Sequence, residues 1–171
     1  YGATEALPVS EIAGDTVLEQ TWPLTECGAG VCVGSPLPGV EVRVVALDEG
    51  EIPTWSDATE LPVGEIGEIV ARSPHISEDY YRQPRVTAEN KIADGDGPPW
   101  HRLGDMGYLD ADGRLWACGR RSHRVCTEEG VLYPLCVEPV FNTYPGVTRS
   151  ALVALRDGGV TRAAVCVERA Q

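Results

Sequence analysis

The chain has 171 residues, of which 43% are hydrophobic, so it can bury a core and is not wholly disordered. Its net charge of −12 excludes the basic face that nonspecific nucleic-acid binding requires, so no nucleic-acid partner is expected. No apolar run is long enough to cross a bilayer, and we expect no integral membrane segment.

The first half of the chain predicts loops and two strands. Residues 6–35 are rich in glycine, proline and small side chains, which predicts a loop. Alternating apolar and polar residues predict a half-buried strand over 39–45, and the acidic stretch 48–61 predicts a hairpin loop or exposed insertion. A second strand is predicted over 64–70.

The second half predicts a different order of elements. Asp112-Gly113 between apolar runs indicates a β-hairpin over 107–116. Pro134 favours the first turn of a helix that continues to about Tyr144. The remaining predicted elements are a short helix at 86–91, short strands within 125–133, and strands at 150–155 and 163–167.

The six cysteines indicate the cellular compartment in which the protein is expected. No two cysteines form a C-x-x-C pair, so a zinc site is not expected. Apolar neighbours predict that the cysteines are small buried hydrophobes in a reducing compartment, hence a cytoplasmic protein; a catalytic thiol is the alternative. The six are Cys27, Cys32, Cys118, Cys126, Cys136 and Cys166.

The segment Tyr1-Gly2-Ala3-Thr4-Glu5 combines an aromatic ring, a flexible residue, a hydroxyl and a carboxylate. Those groups can stack on a purine, approach and bond a phosphate, and hold Mg²⁺. Two later segments, 101–105 (His-Arg-Leu-Gly-Asp) and 119–120 (Gly-Arg), are also candidates for nucleotide contact.

Taken in order, six segments resemble the AMP-forming adenylating enzymes, which include acyl-CoA synthetases, firefly-type luciferases and peptide-synthetase adenylation domains. Any one motif is weak, but six in the right order make chance agreement implausible. The segments are 1–5 (Y-G-x-T-E), 34–42 (G-x-P-x-P-G-x-E-x), 64–70 (G-E-x-G-E), 81–87 (Y-x-x-x-P-x-x-T), 101–105 (Y/H-R-x-G-D) and 119–120 (G-R).

The resemblance implies a mixed α/β (α+β) fold in two parts. Residues 1–119 would be the C-terminal part of the large AMP-binding domain, including its distorted β-barrel subdomain. Residues 120–171 would begin the small C-terminal α+β domain. The family's phosphate loop and its catalytic lysine match nothing in this sequence, so we expect an internal fragment that is inactive by itself.

The resemblance also implies which residues hold ATP. Tyr1 would stack on adenine, with Gly2 allowing close approach of the chain to the nucleotide. Asp105 would accept hydrogen bonds from both ribose hydroxyls. Without the family context, a core tyrosine and a surface carboxylate are the simpler interpretations of Tyr1 and Asp105.

Three further residues carry the implied chemistry, in which a substrate carboxylate attacks the α-phosphate. Thr4 would bond an α-phosphate oxygen, Glu5 would hold Mg²⁺, and Arg120 would reach the ribose or phosphates. His101 and His123 are acid–base candidates, although a histidine packed beside a loop is commoner.

Other arginines close to residues 119–120 leave the role of Arg120 open. Arg121 and Arg124 lie close enough in sequence to take its role, whereas Arg102 is interpreted as structural. In the family, the residues that begin with this Gly-Arg pair form the hinge between the large and the small domain. This hinge also departs from the family pattern: Ser122 replaces the usual Asp or Lys, and Cys126 stands where a Lys is expected. These departures put CoA-dependent thioesterification in doubt.

A narrower resemblance, carried by residues 1–10, 28–34 and 119–125, is to the β-lactone synthetases of bacterial long-chain olefin biosynthesis. It implies a fatty β-hydroxy carboxylate whose own hydroxyl displaces AMP, with ATP and Mg²⁺ as cofactors and other olefin-biosynthesis enzymes as partners. The alternatives are an acyl-CoA ligase, a peptide-synthetase adenylation domain, or a noncatalytic nucleotide-binding module.

Overall fold

The computed structural model describes residues 1–170. The strands are β1 (Ser10–Glu11), β2 (Val31–Pro36), β3 (Glu41–Val45), β4 (Gly67–Arg72), β5 (Lys91–Ile92), β6 (Trp100–Leu109), β7 (Leu115–Arg120), β8 (Val125–Thr127), β9 (Gly130–Leu132), β10 (Val147–Asp157) and β11 (Val160–Arg169). The α-helices are α1 (Gly14–Thr16), α2 (Trp22–Thr25), α3 (Pro84–Asn90) and α4 (Pro134–Asn142), with a π-helical turn at Val17–Thr21 and 3₁₀ turns at Trp55–Asp57 and Arg121–His123. Across residues 1–170, no helix has the length and apolar character needed to cross a membrane.

Seven strands form one antiparallel sheet that curls into a half-barrel. Hydrogen-bonded neighbours follow the order β1-β2-β7-β6-β4-β3, and β5 pairs with the start of β6. Few helices accompany the sheet, and the predicted mixed α/β fold with a distorted barrel is confirmed.

Exposed and buried side chains alternate at the start of β3, as expected for a strand with one face in the core. Val42 and Val44 are buried, whereas Glu41 between the turn and Val42 is exposed. Neighbouring strand residues point to opposite faces, and on β4 the adjacent Ile69 and Val70 accordingly join two different core clusters. The sheet is therefore covered on both sides at β4.

Arg102 on β6 lies in the core, where only 2% of it is exposed. Its Nε and Nη2 donate to Oε2 of the equally buried Glu68, at 2.9 and 2.6 Å. The same guanidinium donates to the backbone carbonyls of Asp48, Gly50 and Glu89, at 2.5, 2.6 and 3.2 Å. These contacts agree with the structural role expected for Arg102.

Beyond β7, the chain forms smaller units. β8 pairs with β9, β10 pairs with β11, and α4 packs against both β10 and β7. The last strand of the large sheet ends at Arg120. The division between 1–119 and 120–171 remains a prediction, which this change in organisation favours.

The hairpin predicted over 107–116 is confirmed as β6 and β7 with its turn at Gly113, which adopts φ of +76°. The helix predicted from Pro134 is confirmed and ends at Asn142. The strand predicted over 64–70 begins later, at Gly67, because a turn closed by the Glu65 N–H and the Pro62 carbonyl precedes it.

The prediction of a continuous loop over residues 6–35 is wrong, because β1, β2 and a helical stretch occupy this segment. The helical stretch buries Thr21 and Thr25 while exposing Trp22 and Leu24. Its buried side is thus polar and its exposed side apolar, so the hydrophobic pattern carries no helix signal.

Burial of the cysteines is also only partly as expected. Cys32 and Cys118 are buried on β2 and β7 and Cys136 is half-buried, but Cys27, Cys126 and Cys166 are exposed. The expectation is wrong for Cys166 because β11 pairs only with β10, and the two-stranded sheet leaves that side chain in solvent.

Candidate functional site

A cavity of about 590 Å³ lies where the large sheet meets α4 and β10. The sheet contributes one wall and the residues after β7 contribute the other. Its lining consists of Tyr1, Val31, Val33, Asp105, Ala117, Gly119, Arg120, His123, Pro134, Leu135, Glu138 and Leu152. Three of the residues predicted to hold ATP, Tyr1, Asp105 and Arg120, therefore meet in one place, together with the acid–base candidate His123.

A carboxylate between two donors forms the polar end of the cavity. The Tyr1 hydroxyl donates to Oδ2 of Asp105 at 2.6 Å, and Arg120 Nε lies 3.2 Å from Oδ1. Asp105 and Arg120 are direct partners in the β6–β7 register, so the two motifs meet by strand pairing. Gly104 precedes Asp105 with φ of +70°, a conformation that favours glycine, and so sets the direction of the carboxylate.

The environment keeps the Tyr1 phenol protonated. Burial raises its pKa above the ordinary value, and the neighbouring Asp105 charge raises it further. A protonated phenol can only donate to the carboxylate, so Tyr1 holds Asp105 at a fixed orientation while its ring borders the cavity.

The remaining wall is mostly apolar. Val31 and Val33 of β2 face the cavity from the sheet, and Leu135 of α4 faces it from the other side. Glu138 also borders it, but its Oε1 accepts the Leu152 backbone N–H at 2.9 Å. Apolar walls with one carboxylate–guanidinium pair suit a ligand in which a flat ring is joined to a group that carries hydroxyls.

The other residues of the first motif lie outside this lining. Gly2 fits a tight turn, since a Cβ there would stand 2.5 Å from the carbonyl oxygen of Ala6. Thr4 is exposed, and Glu5 turns toward a different neighbourhood. The structure thus brings Tyr1 to Asp105 and Arg120 but separates Thr4 and Glu5 from that group.

Glu5 contacts the segment that leads into α3. The Tyr80 hydroxyl donates to Glu5 Oε1 at 3.1 Å, and the Ser77 N–H donates to the Glu5 carbonyl at 3.0 Å. A bond to its own backbone N–H lowers the pKa of the Glu5 carboxyl, with a further contribution from Tyr80. Glu5 is therefore anionic near neutral pH, as a metal ligand must be.

Two buried basic residues, Lys91 on β5 and His101 on β6, lie beside Glu5 and are partners in the register of these two strands. Burial lowers the pKa of His101 to about 4, helped by the charge of Lys91, and burial lowers the pKa of Lys91 to about 8. His101 Nδ1 lies 3.3 Å from the Asn90 carbonyl oxygen. A neutral, buried histidine outside the cavity lining is interpreted as packed, the simpler of the two interpretations.

The donor set around Glu5 limits which metal it can hold. Within residues 1–170, no three His, Cys, Asp or Glu side chains cluster as a metal site. Mg²⁺ commonly uses one or two carboxylates together with substrate phosphates and water. A single anionic Glu5 therefore fits Mg²⁺ carried mainly by a nucleotide, and does not fit a metal held by protein alone.

The three hinge arginines separate in space. Arg120 borders the cavity, whereas Arg121 Nη1 lies 3.4 Å from Oε1 of buried Glu68. Arg124 pairs with Glu49. Of the three candidates, only Arg120 is placed to contact a ligand beside Asp105.

Sequence reasoning missed Tyr80 and took Tyr81 as the tyrosine of the family segment. The spacing Y-x-x-x-P is met by Tyr80 and Pro84, and Tyr80 is the one that contacts Glu5. Tyr81 is 79% exposed. The spacing was thus the available signal, obscured by two adjacent tyrosines.

The curled sheet matches a subdomain of the adenylating enzymes. The chain is a relative of the AMP-forming members of that class. Olefin β-lactone synthetases of Stenotrophomonas maltophilia and Xanthomonas campestris are 49% and 46% identical to it over 98% of the chain. Curated relatives of lower identity are CoA ligases.

Solved structures agree. The amide bond synthetase McbA of Marinactinospora thermotolerans matches with a TM-score of 0.79 and 30% identity, over 100% of this chain and 31% of that one. ATP-bound MatB of Rhodopseudomonas palustris matches with a TM-score of 0.69 and 29% identity, over 81% of this chain and 25% of that one. The chain spans 31% of the length of the two β-lactone synthetases. No protein-family model matches it.

Proposed function

We propose that the protein carrying this chain is an ATP-dependent adenylating enzyme that activates a fatty β-hydroxy carboxylate and closes it to a β-lactone. The observation that carries the proposal is the meeting of Tyr1, Asp105 and Arg120 in one cavity. Identity of 49% to an olefin β-lactone synthetase over nearly the whole chain supports the choice of reaction.

This chain supplies the nucleotide side of the reaction. Asp105 accepts the ribose hydroxyls, and Tyr1 forms the wall against adenine. Arg120, beside Asp105, contacts the ribose or phosphates through charge-assisted hydrogen bonds. Gly2 lets the backbone approach the nucleotide, and Thr4, exposed on the same turn, bonds an α-phosphate oxygen.

The chemistry requires two displacements. A carboxylate oxygen of the fatty acid attacks the α-phosphorus, and the bond to pyrophosphate breaks. The β-hydroxyl oxygen then attacks the acyl carbon, loses its proton and displaces AMP. Mg²⁺, when bound with Glu5, supplies charge neutralisation, and the residues of this chain orient the nucleotide for in-line attack.

The remaining assignments follow from this reaction. Residues 1–119 belong to the large AMP-binding domain, and 120–171 begin the small domain that closes over the cavity. Because the reaction consumes ATP, we place the protein in the cytoplasm. Its fatty substrate places it in fatty acid metabolism, and its similarity to olefin β-lactone synthetases suggests other olefin-biosynthesis enzymes as partners.

The test uses the complete natural protein with ATP, Mg²⁺ and a 3-hydroxy fatty acid, without CoA. Mass spectrometry should find a product lighter than the acid by one water, together with AMP. The matched substrate without the 3-hydroxyl should be adenylated but give no lactone. An acyl-adenylate from the hydroxy acid that waits for CoA would overturn the β-lactone assignment.

A conventional acyl-CoA ligase is the second candidate, because the relatives of lower identity are CoA ligases. In that case AMP release would depend on CoA and the product would be a thioester. Absence of AMP under all these conditions would leave a noncatalytic nucleotide-binding module.

A further inference from the structure

One chain segment holds Glu5 at both its backbone and its side chain. The Ser77 N–H donates to the Glu5 carbonyl at 3.0 Å, and the Tyr80 hydroxyl donates to Glu5 Oε1 at 3.1 Å. The two donors stand three residues apart in the turn before α3. Because both ends of Glu5 are fixed, its carboxylate has little rotational freedom.

The only lysine of the chain anchors this segment. Lys91 Nζ donates to the Ser77 carbonyl oxygen and lies 3.4 Å from Ser77 Oγ. It also lies 5.8 Å from the centre of the Tyr80 ring, within the range of a cation–π contact. Lys91 is only 7% exposed, so it contacts protein rather than water.

Tyr80 is suited to donate to Glu5. An ionised carboxylate only accepts hydrogen bonds, so the Tyr80 hydroxyl supplies the proton of this bond and occupies Oε1 as a donor. The Tyr80 backbone N–H also donates to the Thr87 side-chain Oγ1 at 3.0 Å, which ties Tyr80 to α3.

We propose that Tyr80 is a positioning residue for the metal-binding carboxylate of Glu5, and that Lys91 holds Tyr80 and Ser77 in place for that task. The inference rests on the proposed function, since Glu5 is taken as a ligand of nucleotide-bound Mg²⁺. Tyr80 itself lies outside the lining of the cavity that contains Tyr1, Asp105 and Arg120. It acts by presenting Glu5 in one orientation.

The test compares Tyr80→Phe with Tyr81→Phe in the complete natural protein. The two variants remove the same hydroxyl from adjacent residues, one on Glu5 and one in solvent. Mn²⁺ binding is titrated by electron paramagnetic resonance with a nonhydrolysable ATP analogue present. Tyr80→Phe should raise the Mn²⁺ dissociation constant about tenfold, as expected for losing a bond to a charged group. Tyr81→Phe should not change it.

Steady-state kinetics give the second measurement. In Tyr80→Phe, the Mg²⁺ concentration for half-maximal AMP formation should rise by a similar factor, with kcat at saturating Mg²⁺ within about twofold of wild type. A purely structural role would instead lower the melting temperature without changing the Mn²⁺ affinity of the folded protein, and that result would overturn the proposal.

Glu5→Gln separates this proposal from the proposed function. If Glu5→Gln weakens Mn²⁺ binding and Tyr80→Phe does not, the positioning role is overturned and the metal role of Glu5 stands. If neither variant weakens it, both fall. If both weaken it but the wild type forms no AMP, the positioning role is supported and the proposed reaction fails.

Discussion

Glu68 on β4 and Arg121 just beyond β7 meet at 3.4 Å, although 53 residues separate them. The Glu68 carboxylate is fully buried, and its other oxygen is held by Arg102. One buried anion therefore links the core of the large sheet to the first residue after it. Arg120, the neighbour of Arg121, is thereby left to face the cavity.

Glu68→Gln should lower the free energy of unfolding by about 3 kcal/mol, because it leaves the buried Arg102 guanidinium without its counter-charge. Urea denaturation monitored by tryptophan fluorescence measures this. Glu65→Gln, an exposed change just before the same strand, should stay within about 0.5 kcal/mol of wild type. Equal effects of the two variants would contradict a buried role for Glu68.

Asp105→Asn should weaken ATP binding by about tenfold or more, because an amide cannot accept from both ribose hydroxyls and no longer attracts Arg120. Isothermal titration of ATP into the complete protein measures it. Asp112→Asn provides the matched control on the exposed turn of the same hairpin, with a side chain 73% exposed. Unchanged affinity in Asp105→Asn would remove Asp105 from the nucleotide site.

Gly2→Ala should destabilise the turn that carries Tyr1 and Glu5, because the new Cβ would stand 2.5 Å from the Ala6 carbonyl oxygen. We expect a loss of about 1–3 kcal/mol. Thermal unfolding measures it, with Gly14→Ala as control, since a Cβ at Gly14 meets nothing within 4 Å. A Gly2→Ala melting temperature equal to that of Gly14→Ala would show that the turn relaxes without cost.

The pH dependence of stability should carry a contribution from His101. Its pKa is 6.5 when unfolded and about 4 when folded, so the unfolded chain binds the proton more readily between these values. Stability therefore falls as the pH falls from 6.5 toward 4. Between pH 6.5 and 4.5, wild type should lose about 2 kcal/mol more than His101→Gln.

Urea midpoints at several pH values measure this difference. His123→Gln is the matched control, because it makes the same change at an exposed histidine. If His101→Gln loses stability on acidification as steeply as wild type, the neutral buried state of His101 is wrong.

The β6–β7 hairpin shows what the sequence could predict. Asp112-Gly113 fixes the turn, and the turn fixes the register as far as the Gly107–Ala117 pair. A register shift between Met106 and Gly107 then places Asp105 opposite Arg120, so local turn chemistry accounts for the hairpin but not for the pairing of the two site residues. The curled sheet itself was an expectation from family resemblance and not from any local pattern.

Other features depend on contacts that no local pattern encodes. The bond from Tyr80 to Glu5 joins residues 75 apart, and the choice between Tyr80 and Tyr81 depends on how the turn before α3 folds. Likewise, β2 pairs with β7 across more than 80 residues, so Val31 gave no sign that it borders a cavity. Long-range pairing decides these positions.

Arg102 has a consequence for the acidic stretch between β3 and β4. The backbone carbonyls of Asp48 and Gly50 accept hydrogen bonds from the Arg102 guanidinium, which is buried and therefore not screened by dissolved ions. The chain has 26 carboxylate side chains, and the repulsion between those at the surface depends on the ionic strength of the buffer. The hydrogen bonds from Arg102 do not depend on it. The stretch should therefore keep its path in dilute and in concentrated salt alike.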